Sequence, residues 1–389
     1  MALPRGGAQR RRGPRCAASG VRPAADGASV GRVTMIRDVD VLWALRSPCN
    51  LGCRYCYFGT LLEHREQPVV QIGQLSHLSR ADLGFADLAA FADTLAQSPV
   101  RRVFLAGGEP LIWPPVFDLI ERIKRAGVEV VVCTNGVPLN RPETVLRLLK
   151  LDIDAVSVSL DSAEPGHNDR WRPSHNGKDG WDRMIAGITA LLAARGRRTA
   201  PAVGIYSVIT AQNLDAVTEV AHLAADLGCD YFVPQPLSLE PGHALDTELS
   251  LTAAHYDVLA AQFTRLYETS QLRLPDRDYP GRVLEAVSAT EPGFVAQCFA
   301  GRYLFFVEPD GSVWPCPSSL KIGSLSSVAS GTSHQGPMRS GAQMDRSHQA
   351  QHPDQPSVVV HSEARTEPPV ILLAPSPERQ HGVDAPPVW

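Results

Sequence analysis

Short apolar runs alternate with longer amphipathic stretches between residues 40 and 235. The runs are typical of buried strands, and the stretches between them carry apolar residues at the three- and four-residue spacing of helices. Alternation of this kind predicts repeated βαβ units, an α/β fold and a parallel sheet. Strands are predicted at 41–46, 101–106, 128–134, 153–160, 202–209 and 230–234. Helices are predicted at 81–97, 114–126, 141–151, 178–195, 212–227 and 252–270.

Six strands in series fit a partial (βα)6 TIM-like barrel, which we favour, or an open doubly wound sheet. In both architectures a ligand binds at the carboxyl ends of the strands. Beyond residue 270 two apolar runs flank Pro309-Asp310-Gly311. Because Asp-Gly between apolar runs is a strong turn signal, we expect a small C-terminal β-hairpin extension of the barrel.

The aromatic residues fall almost entirely between Trp43 and Trp314. The flanks are rich in Pro, Gly, Ser or Arg, and such sequences bury too little apolar surface to offset the entropy of ordering. We therefore expect a disordered extension over 1–37 and a disordered tail over 326–389. Between them we expect a barrel over 38–250 and a C-terminal segment of helices and a hairpin over 251–325.

Overall composition is ordinary, with 44% hydrophobic residues, 20% charged residues and a formal net charge of −4. This balance gives no reason to expect a nucleic-acid or membrane partner. No apolar run approaches the roughly 18 residues of a membrane span, and no apolar stretch follows the basic N-terminus as a secretory signal requires. The eight cysteines are too sparse for a disulfide framework. We expect a cytoplasmic protein.

Three of those cysteines lie within eight residues, directly after the first predicted strand: Cys49, Cys53 and Cys56. Soft thiolate ligands select zinc or iron–sulfur clusters. A zinc site needs a fourth ligand, which His64 is able to supply. A [4Fe–4S] cluster held by three cysteines instead leaves one iron open to a further ligand, which implies chemistry rather than a structural role.

The spacing C-x3-C-x-aromatic-C, with Tyr55 as the aromatic residue, resembles the signature of the radical S-adenosylmethionine (SAM) enzymes. The second predicted strand ends in Gly107-Gly108-Glu109-Pro110, which resembles the GGEP motif of that family. The resemblance implies that backbone groups and Glu109 meet the amino group of the methionine moiety of SAM. Glycine suits backbone that approaches a ligand closely, and a carboxylate suits an ammonium.

Three further stretches resemble later strand-end elements of the family. Thr134-Asn135-Gly136 closes the third strand, and Ser157-Val158-Ser159-Leu160-Asp161 closes the fourth. The resemblance implies that Asn135 and Ser159 lie near SAM. Residues 168–172 resemble the H-D-x-x-R stretch, whose arginine is able to pair with the methionine carboxylate. Asn168 replaces the histidine here, and Arg172 fits the spacing better than Arg170; a solvated basic loop is the alternative.

The resemblance implies a shared first step. A [4Fe–4S] cluster on Cys49, Cys53 and Cys56 cleaves SAM reductively, and the resulting 5′-deoxyadenosyl radical removes a hydrogen from a substrate. The implied electron donor is a flavodoxin- or ferredoxin-type protein. A non-catalytic zinc or iron–sulfur protein is a remote alternative, since it explains the clustered cysteines without the other motifs. Cys133 lies in a predicted strand and Cys229 directly before one, and both are interpreted as core residues.

Cys298, Gly311 and Cys316 follow the spacing C-x12-G-x4-C, which resembles the opening of the SPASM and Twitch auxiliary-cluster modules. No cysteine follows Cys316, and two thiolates do not complete a four-cysteine site. We favour a module that lost its cluster and kept the hairpin over the substrate. Unidentified further ligands, or a shift of the reading frame near 324–331, are the alternatives.

The expected substrate follows from the same resemblance. Peptide maturases of this kind often carry an N-terminal peptide-recognition domain, and the residues before Met35 are too few to build one. We therefore favour a small natural-product substrate, a sugar or nucleoside of antibiotic biosynthesis. Redox-neutral decarboxylation, of the cytosylglucuronate decarboxylase kind, needs no auxiliary electron acceptor and is preferred. A peptide maturase and an aminocyclitol dehydrogenase are the alternatives.

Overall fold

A computed structural model describes residues 37–56, 82–237, 239, 243–289, 301–314 and 323–324. All of them belong to the compact unit Ile36–Trp389. The predicted tail and all but Arg37 of the predicted N-terminal extension lie outside the described residues, as do His64, Cys298 and Cys316. The sequence predictions for these positions therefore stay predictions.

Six parallel strands, in sequential order, form the larger part of one sheet and extend to one of its edges. They confirm the six predicted strands with slightly shifted ends. A doubly wound sheet reverses its strand order at the centre, whereas this order runs without reversal, as in a TIM-like partial barrel. The strands are β1 Val39–Arg46, β2 Val100–Gly107, β3 Glu129–Thr134, β4 Ala155–Ser159, β5 Ala202–Ile209 and β6 Tyr231–Pro236.

The predicted C-terminal hairpin is present and continues the same sheet. It consists of β7 Leu304–Val307 and β8 Ser312–Trp314, which pair antiparallel, followed by β9 Gly323–Ser324. β7 pairs parallel with β1, so the complete strand order is β6-β5-β4-β3-β2-β1-β7-β8-β9. The hairpin is therefore attached beside the strand that leads into the cysteine motif.

Helices connect the strands, and the six predicted ones are confirmed. The sequence pattern missed three others, α4, α7 and α9. α4 and α7 span seven and four residues, too few to show helical periodicity. The helices are α1 Phe85–Thr94, α2 Val116–Arg125, α3 Pro142–Lys150, α4 Pro165–Trp171, α5 Trp181–Arg195, α6 Val217–Leu227, α7 Asp246–Leu249, α8 Tyr256–Thr269 and α9 Tyr279–Ser288. Among the described residues, no helix is long and apolar enough to cross a membrane.

Alternation along the strands separates two faces of the sheet. Val41 and Trp43 of β1 join the large core beneath the helices, whereas Ala44 packs with Phe306 and Trp314 in a separate inner cluster. Strands covered on both faces consist of nearly continuous apolar runs, which is why the sequence pattern located them well. Trp314 thus ties the hairpin to the inner side of β1.

The inner face of β4, β5 and β6 is bridged by Tyr231. Its hydroxyl lies 2.6 Å from Ser157 Oγ and donates to the Val156 carbonyl at 2.9 Å. The ring crosses β5 at Gly204, where an added Cβ would lie 2.3 Å from a ring carbon. Gly204 is therefore required for the ring of Tyr231 to lie across the inner face.

Candidate functional site

The cysteine motif forms a loop, residues 49–56, which we call the cluster loop. It pairs through its backbone with residues 171–175, the segment that follows α4. The Gly52 N–H donates to the Pro173 carbonyl at 2.7 Å, and the Arg54 N–H donates to the Trp171 carbonyl at 2.9 Å. Leu51 and Ser174 form an antiparallel bridge. The cluster loop therefore takes its shape from a segment more than 100 residues away in sequence.

N–H groups donate hydrogen bonds to two sulfur atoms of the cluster loop, those of Cys49 and Cys53. The Leu51 N–H donates to Cys49 Sγ at 3.4 Å, and Asn135 Nδ2 donates to the same sulfur at 3.8 Å. Arg172 Nη1 donates to Cys53 Sγ at 3.5 Å. Donors of this kind stabilise metal-bound thiolates and tune iron–sulfur clusters.

Burial, and then the neighbouring charge of Cys53, raise the pKa of the Cys49 thiol well above its usual range. Burial likewise raises the pKa of Cys53. These thiols therefore keep their protons until a metal displaces them.

In the described part of the chain, no group of three or more His, Cys, Asp or Glu side chains is arranged to hold a single metal ion. In a [4Fe–4S] cluster each cysteine binds a different iron, so the sulfurs do not converge on one point. Cys49, Cys53 and Cys56 are all partly accessible. The chemistry of this donor set, three thiols on one loop with N–H groups directed at the sulfurs of Cys49 and Cys53, fits such a cluster.

The two glycines of the GGEP motif bring the end of β2 against residues 46–48, which lead into the cluster loop. The Gly108 N–H donates to the Arg46 carbonyl at 2.7 Å, and the Glu109 N–H donates to the Pro48 carbonyl at 2.9 Å. A Cβ on Gly108 would lie 2.1 Å from the Pro48 carbonyl oxygen, and one on Gly107 would lie 2.6 Å from that of Arg46. The close approach that the glycines permit is thus to backbone, and their contact with SAM stays a prediction.

Glu109 is a buried carboxylate with 2% of its surface exposed. It accepts hydrogen bonds from the Leu111 N–H at 3.0 Å, Thr134 Oγ1 at 2.9 Å and the Asn135 N–H at 2.7 Å. Burial raises its pKa to about 7, although these donors oppose the shift. No cationic side chain within the described ranges forms an ion pair with it, so the ammonium group of a ligand would be a fitting partner.

Asn135 and Ser159 lie at the carboxyl ends of β3 and β4. Asn135 Nδ2 donates to Asn50 Oδ1 at 2.8 Å and so links the end of β3 to the cluster loop. Ser159 is the half-buried last residue of β4 and lies in register with Tyr206 of β5. Both positions border the edge of the sheet at which the cluster loop begins.

Arg172 lies at the cluster loop, and Arg170 does not. Arg172 is buried and its Nε donates to Asp161 Oδ2. Arg170 is exposed on α4 and lies 3.6 Å from Glu248. The alternative of a solvated basic loop over 168–172 is wrong, because these residues form the end of α4 and its C-cap, which turn the two arginines to different sides.

Asp161 is the residue whose importance the sequence did not reveal. It accepts hydrogen bonds from Tyr55 OH at 2.5 Å, from the Val208 N–H at 2.7 Å and from Arg172. Burial, and then the charge of Asp161, raise the pKa of Tyr55 well above its usual range, so the phenol keeps its proton and donates a hydrogen bond to the carboxylate. The only signal in the sequence was its place at the end of a predicted strand.

The model of the Radical SAM superfamily matches residues 48–224. This range contains the cluster loop, the GGEP motif and Arg172. The chain carries a radical SAM domain. The cofactors of that superfamily are a [4Fe–4S] cluster and SAM.

Characterised proteins resemble the chain over most of its length. An AdoMet-dependent heme synthase of Methanosarcina barkeri is 27% identical over 290 residues, 71% of this chain and 76% of that protein. Mycofactocin maturase MftC of Mycobacterium ulcerans is 29% identical over 285 residues, 72% of this chain and 68% of the maturase.

A crystal structure shows the same fold. Streptococcus suis SuiB bound to precursor peptide SuiA superposes with a TM-score of 0.55 at 16% identity, over 74% of this chain and 62% of SuiB. The structure of SuiB bound to S-adenosylmethionine gives a TM-score of 0.53. At this identity the likeness concerns the fold alone.

Proposed function

We propose that this radical SAM enzyme removes a hydrogen atom from a small natural-product substrate, a sugar or nucleoside, and that the reaction ends in decarboxylation. The main support for radical chemistry is the arrangement of the site: the cluster loop, Glu109 and Arg172 meet at one edge of the sheet. When bound, the cluster and SAM supply a 5′-deoxyadenosyl radical. Cys49, Cys53 and Cys56 would hold the cluster, and Glu109 would receive the amino group of SAM.

Polar side chains on the inner face of β4, β5 and β6 support a substrate rich in hydroxyl groups. Tyr206 OH donates to Gln235 Oε1 at 3.0 Å, and both side chains are half-buried. Ser159 lies beside Tyr206 in the register of the sheet. A few well-placed neutral polar groups on a largely apolar wall are typical of small-molecule sites, and these three residues would orient the sugar.

Decarboxylation is preferred because it is redox-neutral overall. It needs no acceptor for a second electron, and Cys298 and Cys316 alone do not complete an auxiliary cluster. We propose that a flavodoxin- or ferredoxin-type protein in the cytoplasm supplies one electron for SAM cleavage and, after CO2 is lost, a second electron that, with a proton from solvent, converts the product radical into the closed-shell product. The enclosing strands and helices would keep water and other hydrogen donors away from the radical.

Anaerobic turnover with uronic-acid nucleosides tests two claims, the radical chemistry and the decarboxylation of a nucleoside substrate. The expected result is release of 5′-deoxyadenosine together with a product that has lost CO2, detected by mass spectrometry. Release of 5′-deoxyadenosine with no decarboxylated product from any nucleoside would reject the substrate proposal. Absence of 5′-deoxyadenosine from enzyme that holds a full complement of iron would reject the radical chemistry itself.

Modification of a peptide is the second candidate. It is favoured by the 29% identity to a mycofactocin maturase and by the fold likeness to SuiB, which was crystallised with a precursor peptide. Incubation with short peptides encoded near the gene, followed by mass spectrometry, separates the two candidates. A SAM-dependent mass change on a peptide would favour this function over the nucleoside reaction.

A further inference from the structure

A buried pair of opposite charges lies directly behind the cluster loop. Asp161 and Arg172 are 2% and 7% exposed, and Arg172 Nε donates to Asp161 Oδ2. The same carboxylate also accepts from Tyr55 OH and the Val208 N–H. Its two oxygens are therefore occupied by three donors, which fix the carboxylate between the cluster loop, β5 and the segment after α4.

The anchored guanidinium directs its other end at the cluster loop. With Nε on Asp161, Arg172 Nη1 lies 3.5 Å from Cys53 Sγ. An arginine fork that bonds two acceptors in one plane is held more rigidly than a single contact allows. The position of a full positive charge beside a cluster-binding sulfur is thus set by Asp161, which itself does not contact the sulfur.

We propose that Arg172 raises the reduction potential of the cluster through Cys53, and that Asp161 is a positioning residue that holds Arg172 there and balances its charge. This inference rests on the proposed function, since it requires a cluster on Cys53. The step concerned is the transfer of one electron from an external reductant to the oxidised cluster. No bond forms or breaks in it.

The direction of the effect follows from charge. Reduction adds one negative charge to the cluster, and a nearby cation with an N–H directed at sulfur stabilises that charge, so the potential rises. Removing Arg172 also leaves the carboxylate of Asp161 uncompensated, which disfavours reduction further. Removing both charges restores electrical balance, but the N–H donor to Cys53 is still missing.

Redox titration of the reconstituted full-length protein with dithionite, followed by electron paramagnetic resonance, tests the inference. We expect R172M to lower the ratio of reduced to oxidised cluster at a fixed potential about tenfold, or ~59 mV for a one-electron couple. The double variant D161N/R172M should return part of the way to the wild-type potential. R170M, which removes an exposed arginine two residues away, should leave the potential unchanged.

An unchanged or raised potential in R172M would overturn the inference, as would an equal shift in R170M. If R172M retains no iron, R172K decides instead, because lysine keeps the charge but does not bond Asp161 and Cys53 with a planar fork. A potential below that of the wild type is then expected in R172K, and a wild-type potential would overturn the positioning role of Asp161, because it would show that the positive charge alone is sufficient. Failure of the wild-type protein to bind a cluster would reject the proposed function, and not the role proposed for Asp161 and Arg172.

Discussion

At the scale of the single residue, Glu109 shows how the site disturbs an ordinary carboxylate. Burial raises its pKa from an ordinary 4.5 to about 7. Between these two pH values the unfolded chain releases the proton while the folded chain retains it. The free energy of unfolding therefore falls as the pH rises through this window, by about 3 kcal/mol in total. The fold tolerates this cost at the place where an ammonium-bearing ligand is expected.

Replacing Glu109 with glutamine should remove this pH dependence. In urea denaturation of the cluster-free protein, E109Q should lose about 3 kcal/mol less stability than the wild type between pH 4.5 and 7. E143Q, in the exposed first turn of α3, is the matched control and should follow the wild-type curve. A wild-type curve for E109Q would show that Glu109 is not the source of the effect.

At the scale of the element, the contact between the end of β2 and residues 46–48, which lead into the cluster loop, depends on the absence of a side chain at Gly108. Both atoms nearest to a Cβ on Gly108 are backbone oxygens of Ser47 and Pro48, at 2.4 and 2.1 Å. Backbone has little freedom to move away, unlike the end of a flexible side chain. The cluster loop and the GGEP motif therefore act as one structural unit.

The substitution G108A should separate these two elements. We expect a loss of stability at the upper end of the roughly 1–3 kcal/mol typical of overpacking, together with loss of most bound iron, measured by thermal unfolding and iron analysis. G281A in α9, where nothing lies within 4 Å of an added Cβ, is the control. It should be neutral or stabilising by up to about 1 kcal/mol. Retention of full iron by G108A would contradict this account.

The hairpin is part of the sheet rather than an appendage. Phe306 of β7 is fully buried and packs on Ala44 of β1. Truncation to alanine, F306A, should cost about 3–5 kcal/mol in chemical denaturation. L146A, which truncates a side chain that is 62% exposed on α3, should change stability by less than about 0.5 kcal/mol. If F306A and L146A lost equal amounts of stability, the packing of the hairpin on β1 would contribute nothing to the stability of the fold.

At the scale of the whole molecule, sequence reasoning succeeded where a signal is local and failed where it is distributed. The strands were located because parallel strands covered by helices are continuous apolar runs. Short helices such as α4 carry too few residues for a periodic signal. The role of Asp161 is not predictable from the sequence, because its hydrogen-bond partners Tyr55 and Val208 lie 106 and 47 residues away along the chain. These three residues come together only when the chain has folded.

We propose that Cys49, Cys53 and Cys56 together hold one iron–sulfur cluster at the carboxyl end of β1. Iron and sulfide analysis after anaerobic reconstitution tests it most directly. We expect about four irons and four sulfides per wild-type chain, and a near-complete loss of both in C49A, C53A and C56A. The control C229A, which alters a buried core cysteine, should retain the wild-type amounts. Full iron content in any of the three cluster-loop variants, or a single zinc ion in the wild type, would contradict the claim.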